Sequence, residues 1–256
     1  HYIERDFFLN ADHAKEYVAT VRLGLRTDTQ DRSGKVLREE PIPALTSAAI
    51  QEILARFVGQ IQQVPPMYSA LRVGGKRLYE LARRGVEVKR EPRPVMIYAL
   101  TLESVELPFF TVRVVCGKGT YVRTLSADLG EAIGCGAALE RLLRVRVGPY
   151  SLDAAIPWTE LVQARDGAAF WPLILPPDSA LSHLPALRLT QEAAAALLDG
   201  QAVPAPQPAS ADSGLVRLYA PAGSFLGLGR LIQAGSAVKP ERILHGDHPR
   251  HRILPA

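Results

Sequence analysis

Cysteine is scarce in this sequence, which has two, Cys116 and Cys135, in 256 residues. Two cysteines form neither a disulfide framework nor a four-thiolate zinc site, and this indicates a reducing compartment. Long apolar runs are also missing, since none approaches the roughly 18 residues that span a bilayer, so we expect a soluble, cytoplasmic protein that does not enter a membrane. The chain begins at His1 rather than methionine, and we expect that sequence has been lost upstream.

The net positive charge of the chain is concentrated in one segment. Between Leu71 and Arg93 eight basic residues accompany three acidic ones, a balance of +5, whereas the whole chain carries +4. The interleaved Tyr68 and Tyr79 and the turn at Gly74-Gly75 are typical of an arm that tracks phosphates and stacks on unpaired bases. The same pattern also fits a solvated, charged helix face whose tyrosines contact the core, and this stretch alone does not decide between the two.

The stretch Cys116–Gly136 joins a predicted strand to a predicted helix. Phe110–Cys116 is rich in β-branched and apolar residues, and Gly117-Lys118-Gly119 provides a turn. Thr120 is the expected N-cap of the helix, and the Gly134-Cys135-Gly136 cluster is expected to end it. The apolar positions at helical spacing are Val122, Leu125, Leu129 and Ile133.

This reading places Tyr121 and Arg123 in the first helical turn. A cation there opposes the helix dipole, which favours anions at that end by roughly 0.3–1 kcal/mol. We therefore expect Arg123 to have an anionic partner, either a carboxylate from elsewhere in the fold or a phosphate at the helix start. The alternative is an ordinary surface arginine in a strand-to-helix turn.

Three other segments have readable patterns. Tyr17–Leu25 alternates as a strand does, and Thr27–Gly34 is a turn-rich connection. The two aspartates of that connection suggest Asx turns, because the spacing and terminal glutamate of a calcium loop are absent. Ala137–Tyr150 fits a helix that gives way to a strand. Near the C-terminus, a helix through Gln191–Leu198 precedes short strands separated by glycine-containing turns, which predicts a small β-barrel.

From about Lys15 to Leu244 the chain resembles the bacterial tRNA pseudouridine synthase family TruB. The resemblance is carried by several blocks in order: TDTQDRSG after the first strand, QVPPMYSALRVGGKRLYELARRG, CGKGTYVRTLSADLGEAIGCGAALERLLR, and SFLGLGRL with VKPERIL near the end. Any one of these blocks is weak by itself, whereas their occurrence together in this order is specific.

The resemblance implies an α+β fold in two domains. Residues 1–180 are expected to form a catalytic domain on a mixed, largely antiparallel sheet with flanking helices, with an RNA-gripping arm at about residues 63–94. Residues 181–256 are expected to form a PUA-like β-barrel that binds RNA. The implied activity is that of a tRNA pseudouridine(55) synthase, which flips a T-loop uridine out of the stack and needs neither a metal nor an organic cofactor. The implied partner is the T arm of tRNA, bound by a monomer.

The resemblance also implies roles for individual residues. Tyr17 matches a tyrosine that stacks on the target base, and Tyr121 and Arg123 match the GTYxRT motif, whose arginine pairs with the catalytic aspartate. Leu142 matches an apolar residue at the active site. The remaining expected substrate-binding residues lie in the arm: Tyr68, Arg72, Lys76, Arg77, Arg83 and Arg84.

The sequence departs from the family at the catalytic aspartate. The family carries it in a Gly-x-Leu-Asp-Pro-type motif upstream of the first strand, and these 256 residues contain no such motif. Leu152-Asp153 lacks the proline and follows the arginine block, while Asp6 and Asp12 lack the required context. One hypothesis is an RNA isomerase whose N-terminal piece is missing or divergent. The others are a catalytically silent tRNA-binding or folding module and an α+β domain for an acidic protein or a small phosphorylated ligand.

Overall fold

A computed structural model describes residues 14–165, 167–206 and 214–244. The chain divides into two compact units, His1–Ala155 and Ile156–Ala256, and the domain boundary after residue 180 stays a prediction. None of the helices in the described part of the chain has the length and apolarity that crossing a bilayer requires.

The first unit is built on an antiparallel sheet. Its strands are β1 (Lys15–Leu23), β2 (Leu25–Thr27), β3 (Val36–Glu39), β4 (Gly59–Gln63), β5 (Arg72–Val73), β6 (Lys76–Arg77), β7 (Arg93–Glu106), β8 (Phe109–Cys116), β9 (Ala137–Val147) and β10 (Tyr150–Ser151). Six of them form one sheet in the order β10-β9-β1-β8-β7-β4, and every pairing in it is antiparallel. Two hairpins, β2-β3 and β5-β6, form separate two-stranded sheets. This confirms the predicted α+β class with a largely antiparallel sheet.

Helices cover one face of this sheet. The covering helices are α1 (Ser47–Ala55) and α3 (Val122–Ile133). The short helix α2 (Leu78–Ala82) follows the β5-β6 hairpin, and a 3-10 helix spans Leu152–Ala154. Alternate side chains of β1 point into the core, where Ala19 and Val21 are fully buried. The helix α1 contributes Ile50 and Leu54 to that core, and α3 contributes Leu125 among others. Each large apolar side chain buried in this way stabilises the fold by about 1.5–3 kcal/mol.

The helix α3 is fixed at both ends. Tyr121, one residue later than the predicted Thr120, is the N-cap, and Gly134 ends the helix in the left-handed region at φ 96°. Gly130 lies against the start of β9, where a Cβ atom would be 2.1 Å from the backbone nitrogen of Ala137. This close approach sets the helix directly beside β9.

The predicted helix at the start of Ala137–Tyr150 is wrong. The chain is a strand from Ala137 to Val147, because it pairs with β1 along its whole length. Local register shifts lie between Glu16 and Tyr17 and between Thr20 and Val21. Such bulges bend a strand and re-aim its side chains.

The second unit has its own sheet and core. Its helices are α4 (Trp158–Ala164) and α5 (Gln191–Leu198), its strands are β11 (Ala186–Arg188), β12 (Val203–Pro204), β13 (Leu215–Tyr219), β14 (Phe225–Ile232) and β15 (Ala237–Ile243), and 3-10 helices span Trp171–Leu173, Ser179–Leu181 and Gln233–Gly235. The strand order is β11-β13-β14-β15-β12, with β11 and β13 parallel and the other pairs antiparallel. Thr190 caps α5 as a hydroxyl N-cap does. The closure of this sheet into a barrel stays a prediction.

Candidate active site

Arg123 pairs with a carboxylate, as we expected from its place in the first turn of α3. Its Nη1 atom lies 2.9 Å from Oδ2 of Asp31, and its Nη2 atom donates to the backbone carbonyl of Tyr68 at 2.8 Å. About a quarter of the side chain is exposed. The expectation of a carboxylate from elsewhere in the fold is therefore confirmed, and Arg123 is more than a surface arginine of a turn.

Asp31 is held by its own loop, between β2 and β3. Its Oδ1 atom accepts hydrogen bonds from the Thr29 hydroxyl at 2.8 Å and from the backbone and hydroxyl of Ser33. Partial burial raises the pKa of Asp31, but the hydrogen bonds from Ser33, Thr29 and Arg123 outweigh it, so the pKa lies below its ordinary value. The predicted Asx-turn chemistry is confirmed, and the carboxylate stays ionised.

The same loop is attached to β9. The backbone of Arg32 donates to the carbonyl of Leu139 at 2.9 Å, and the backbone of Leu139 donates to Gln30 at 3.0 Å. Gly34 closes the loop so tightly that a Cβ atom there would be 2.3 Å from the Thr29 hydroxyl oxygen. The position of Asp31 is thus set by main-chain contacts as well as by its side chain.

Gln63 holds the backbone of Tyr121. The side-chain amide of Gln63 donates to the Tyr121 carbonyl at 3.2 Å and accepts from the Tyr121 N–H at 3.0 Å. Gln63 is 1% exposed at the end of β4. The sequence reasoning missed it, although a signal exists, since it is a polar residue at an inward position of a strand whose neighbours Gln60 and Gln62 point outward.

Tyr17 and Leu142 lie on the helix-bearing face of the sheet. Tyr17 is opposite Arg144, and Leu142 is opposite the fully buried Ala19, yet Leu142 is 45% exposed. The covering layer therefore stops short of Leu142, and the two bulges of the β1-β9 pairing flank this open part of the sheet. Burial and the neighbouring Cys116 raise the pKa of Tyr17, and Arg144 partly opposes them, so Tyr17 is neutral at physiological pH.

The basic segment has two distinct parts, which we call the arm root (residues 63–69) and the outer arm (residues 72–84). Pro65 and Pro66 are buried in the arm root, and Tyr68 is half-buried there. The outer arm is the β5-β6 hairpin followed by the short helix α2. All of its candidate cations are exposed: Arg72, Lys76, Arg77, Arg83 and Arg84.

The outer-arm cations differ in their contacts. Arg77 donates to the Tyr79 hydroxyl at 3.0 Å, and the guanidinium carbons of Arg77 and Arg83 lie 5.8 and 5.5 Å from the Tyr79 ring centroid. The side chains of the remaining three, Arg72, Lys76 and Arg84, make no hydrogen bond or ion pair with another described residue. These three have no described protein partner that competes with a phosphate.

The described ranges contain no group of three or more His, Cys, Asp and Glu side chains arranged to hold a metal ion. A small cavity of about 110 Å³ lies beside the arm root, and its lining includes Gln63, Arg93, Lys118 and Tyr121.

Solved structures share this fold. A chain of a Cbf5-Nop10-Gar1 complex superposes with a TM-score of 0.62 at 24% sequence identity, over 90% of this chain and 66% of that one. A chain of an H/ACA RNP bound to a substrate RNA containing 2'-deoxyuridine gives a TM-score of 0.63 at 22% identity, over 91% of this chain and 66% of that one. At these identities the likeness shows the fold alone.

Family models cover most of the sequence. Residues 6–122 match the TruB family pseudouridylate synthase N-terminal domain, residues 123–182 match the tRNA pseudouridylate synthase B C-terminal domain, and residues 185–244 match the pseudouridine synthase II TruB C-terminal model. The fold and the matched domains define the class of this protein as the pseudouridylate synthases.

Curated relatives narrow the class to one family. The tRNA pseudouridine synthase B of Aromatoleum aromaticum is 45% identical over 92% of this chain and 74% of its own length. Proteins of the same name from Chromohalobacter salexigens and Burkholderia mallei are 43% and 45% identical, over 76% and 78% of their lengths. The chain belongs to the TruB family of pseudouridylate synthases.

Proposed function

We propose that this protein is a tRNA pseudouridine synthase that isomerises a uridine in the T loop of tRNA. The observation that carries the proposal is the membership in a family whose relatives bear that activity in their name, together with an arginine held at the start of α3 by Asp31 and the arm root. No cofactor is required, because the reaction only exchanges one bond of the base for another.

The chemistry defines what the site must supply. The bond between C1′ and N1 breaks, the base rotates, a bond forms between C1′ and C5, and the proton on C5 leaves while N1 gains one. A carboxylate acts at the sugar or the base as nucleophile or electrostatic stabiliser, and a general base takes the C5 proton. Neither reacting atom is accessible in a stacked loop, so the nucleotide has to flip into a pocket.

The open part of the sheet beside Leu142 suits a flipped base. Tyr17 provides an aromatic face there, and the exposed side chain of Leu142 provides an apolar wall on the same side of β9. Since the pKa of Tyr17 is raised, its ring is neutral and stacks without a charge. We assign to Tyr17 the stacking role and to Leu142 the apolar contact.

Asp31 is not suited to be the reactive carboxylate. Its Oδ1 atom is taken by Thr29 and Ser33 and its Oδ2 atom by Arg123, so attack on the sugar would break the network that holds it. Arg123 has five N–H donors, and its Nε donates to no described residue. We propose that this donor is used by a catalytic aspartate outside the described ranges, where Asp6 and Asp12 also lie.

The outer arm and the second unit are proposed to bind the RNA. Arg72, Lys76 and Arg84 are placed to displace counterions from phosphates of the T-arm stem, which makes affinity strongly salt-dependent. We propose that the protein acts as a monomer in the cytoplasm, on tRNA whose T arm is already folded.

The test is to incubate the complete natural gene product with an in vitro transcribed tRNA and to map carbodiimide adducts by mass spectrometry, since pseudouridine has the mass of uridine. One new adduct in the T loop is expected, and none in a transcript with cytidine at the target position. Salt-dependent T-arm binding without any pseudouridine from the complete natural gene product would contradict the proposal and identify a non-catalytic RNA-binding module.

A further inference from the structure

We infer that Gln63 is a positioning residue for the reaction, one that holds the start of α3 and therefore Arg123 in register with the arm root. The inference rests on the proposed function for its effect on rate. Its structural part, that Gln63 fixes the backbone at Tyr121, is independent of that function.

The amide of Gln63 reproduces the hydrogen-bond pattern of a peptide group. It offers one acceptor to the Tyr121 N–H and one donor to the Tyr121 carbonyl, and both bonds span 58 residues of sequence. The Tyr121 carbonyl also accepts the first helical bond, from Leu125 at 3.0 Å. Gln63 thus pairs with the N-cap residue as a neighbouring strand would, and fixes where α3 begins.

Gln63 also begins the arm root. Five residues later the carbonyl of Tyr68 accepts from Arg123, so the arm root contacts the first turn of α3 at two points, Tyr121 and Arg123. The buried Pro65 and Pro66 lie between these points, and proline fixes the backbone φ of each. A shift of Gln63 would therefore move Tyr121 and Arg123 relative to the arm that grips RNA.

A matched pair of variants tests this inference. Gln63→Met keeps the length of the side chain and removes both hydrogen bonds, and Gln62→Met makes the same change at the exposed neighbour. At saturating tRNA we expect the single-turnover rate of Gln63→Met to fall roughly tenfold to a hundredfold, as small misplacements of a catalytic group do. The Kd for the tRNA should change less than about twofold, and Gln62→Met should match the wild type. Rates are taken per folded molecule, with the folded fraction measured by circular dichroism.

A conservative variant, Gln63→Glu, should make the rate depend on pH, which a merely structural role of Gln63 would not do. In Gln63→Glu the neutral carboxyl group can donate and accept as the amide does, whereas the ionised form has no donor for the Tyr121 carbonyl. The rate per folded molecule, relative to wild type, should therefore fall as the pH rises, while Gln62→Glu follows the wild type. Burial raises the pKa of that carboxyl group, whereas Arg93 and Lys118, which line the same cavity, lower it. The structure therefore gives the direction of the change in rate with pH, and the measurement gives the pH at its midpoint.

Hydrogen exchange separates failure of this inference from failure of the proposed function. If the wild-type chain forms no pseudouridine, amide exchange of the peptide covering residues 119–125 is compared between Gln63→Met and Gln62→Met. Faster exchange in the first variant alone supports the positioning role. Equal exchange in both, or a wild-type rate of isomerisation in Gln63→Met, overturns it.

Discussion

The arm root and the outer arm are adjacent in sequence but differ in how they are held. The arm root is largely buried, and it is bonded to α3 through Gln63 and the carbonyl of Tyr68. The cations of the outer arm are exposed, and the side chains of Arg72, Lys76 and Arg84 have no partner among the described residues. A fixed polar contact positions a reacting group, whereas a solvated cation that meets a phosphate adds affinity. We propose that the first region serves the chemistry and the second serves binding.

The largest expected effect comes from Arg123→Ala. The variant removes the cation that Asp31 and Tyr68 hold, and loss of one preorganised donor typically lowers a rate by about 10²–10³. The single-turnover rate should fall by that amount with the tRNA Kd within about threefold of wild type. Arg123→Lys is the control, because it keeps the charge without the planar fork and should recover little of the rate. Equal loss of rate and affinity would identify Arg123 as a phosphate contact instead.

Asp31→Asn should have the next largest effect. The amide keeps the shape of the side chain but no longer pairs as an anion with Arg123, and we expect a rate roughly tenfold to a hundredfold lower at unchanged affinity. Because the pKa of Asp31 is lowered on folding, its contribution to stability is complete above its ordinary pKa and is lost as the pH falls through the folded value. The variant should therefore lose less stability than wild type below about pH 4, as chemical denaturation would show.

The exposed Asp28 is the matched control for that variant. Asp28→Asn lies in the same loop, where the carboxylate accepts from the Lys35 backbone at 2.8 Å and does not contact Arg123. We expect a wild-type isomerisation rate. A slow Asp28→Asn variant would mean that the integrity of the loop, rather than the pairing with Arg123, limits the reaction.

Variants of the outer arm should lose tRNA affinity and keep the rate. In Lys76→Ala/Arg84→Ala we expect about tenfold weaker tRNA binding and a salt dependence flatter by about one unit per lost phosphate contact. The rate at saturating tRNA should stay near wild type. Lys89→Ala is the control, since its ammonium already pairs with Glu91 at 3.2 Å. An unchanged salt slope in the double variant would remove the outer arm from the RNA interface.

The smallest effect concerns Asp128, a half-buried carboxylate of α3 that belongs to neither region. Burial raises the pKa of Asp128 to about 6, so the folded protein binds a proton more tightly and its stability falls as the pH rises from about 4 to 6. Asp128→Asn should raise the free energy of unfolding by about 1–2 kcal/mol above pH 6 and leave it unchanged below about pH 4. The exposed Asp153→Asn is the control. A change in tRNA affinity in either variant would contradict the assignment of RNA binding to the outer arm.

Local patterns in the sequence predicted the elements that need only local information. The strand-turn-helix unit around Cys116–Gly136 and the helix at Gln191–Leu198 are confirmed because periodicity and glycine placement determine them. The need of Arg123 for an anion also followed from its place in a helix. The sequence did not reveal that this anion is Asp31, because Asp31 lies 92 residues from Arg123 and an Asx turn already accounted for an aspartate in its loop.

Tertiary pairing explains what was missed. The apolar pattern of Ala137–Val147 fits both a helix and a bulged strand, and only the pairing with β1 selects the strand. Gln63 was overlooked because a single polar residue in a strand has no meaning until Tyr121 is placed beside it. The individual roles of Tyr17, Tyr121 and Leu142 stay predictions, and a Tyr17→Phe and Tyr17→Ala pair can test the first of them.

The most direct test of the account is the isomerisation rate at saturating tRNA, where binding no longer contributes, for Arg123→Ala and Lys76→Ala/Arg84→Ala side by side. We expect the first variant to be about 10²–10³-fold slower than wild type and the second to be close to wild type. Proportional loss of rate in both variants would contradict the division of the arm into a positioning root and a binding outer part.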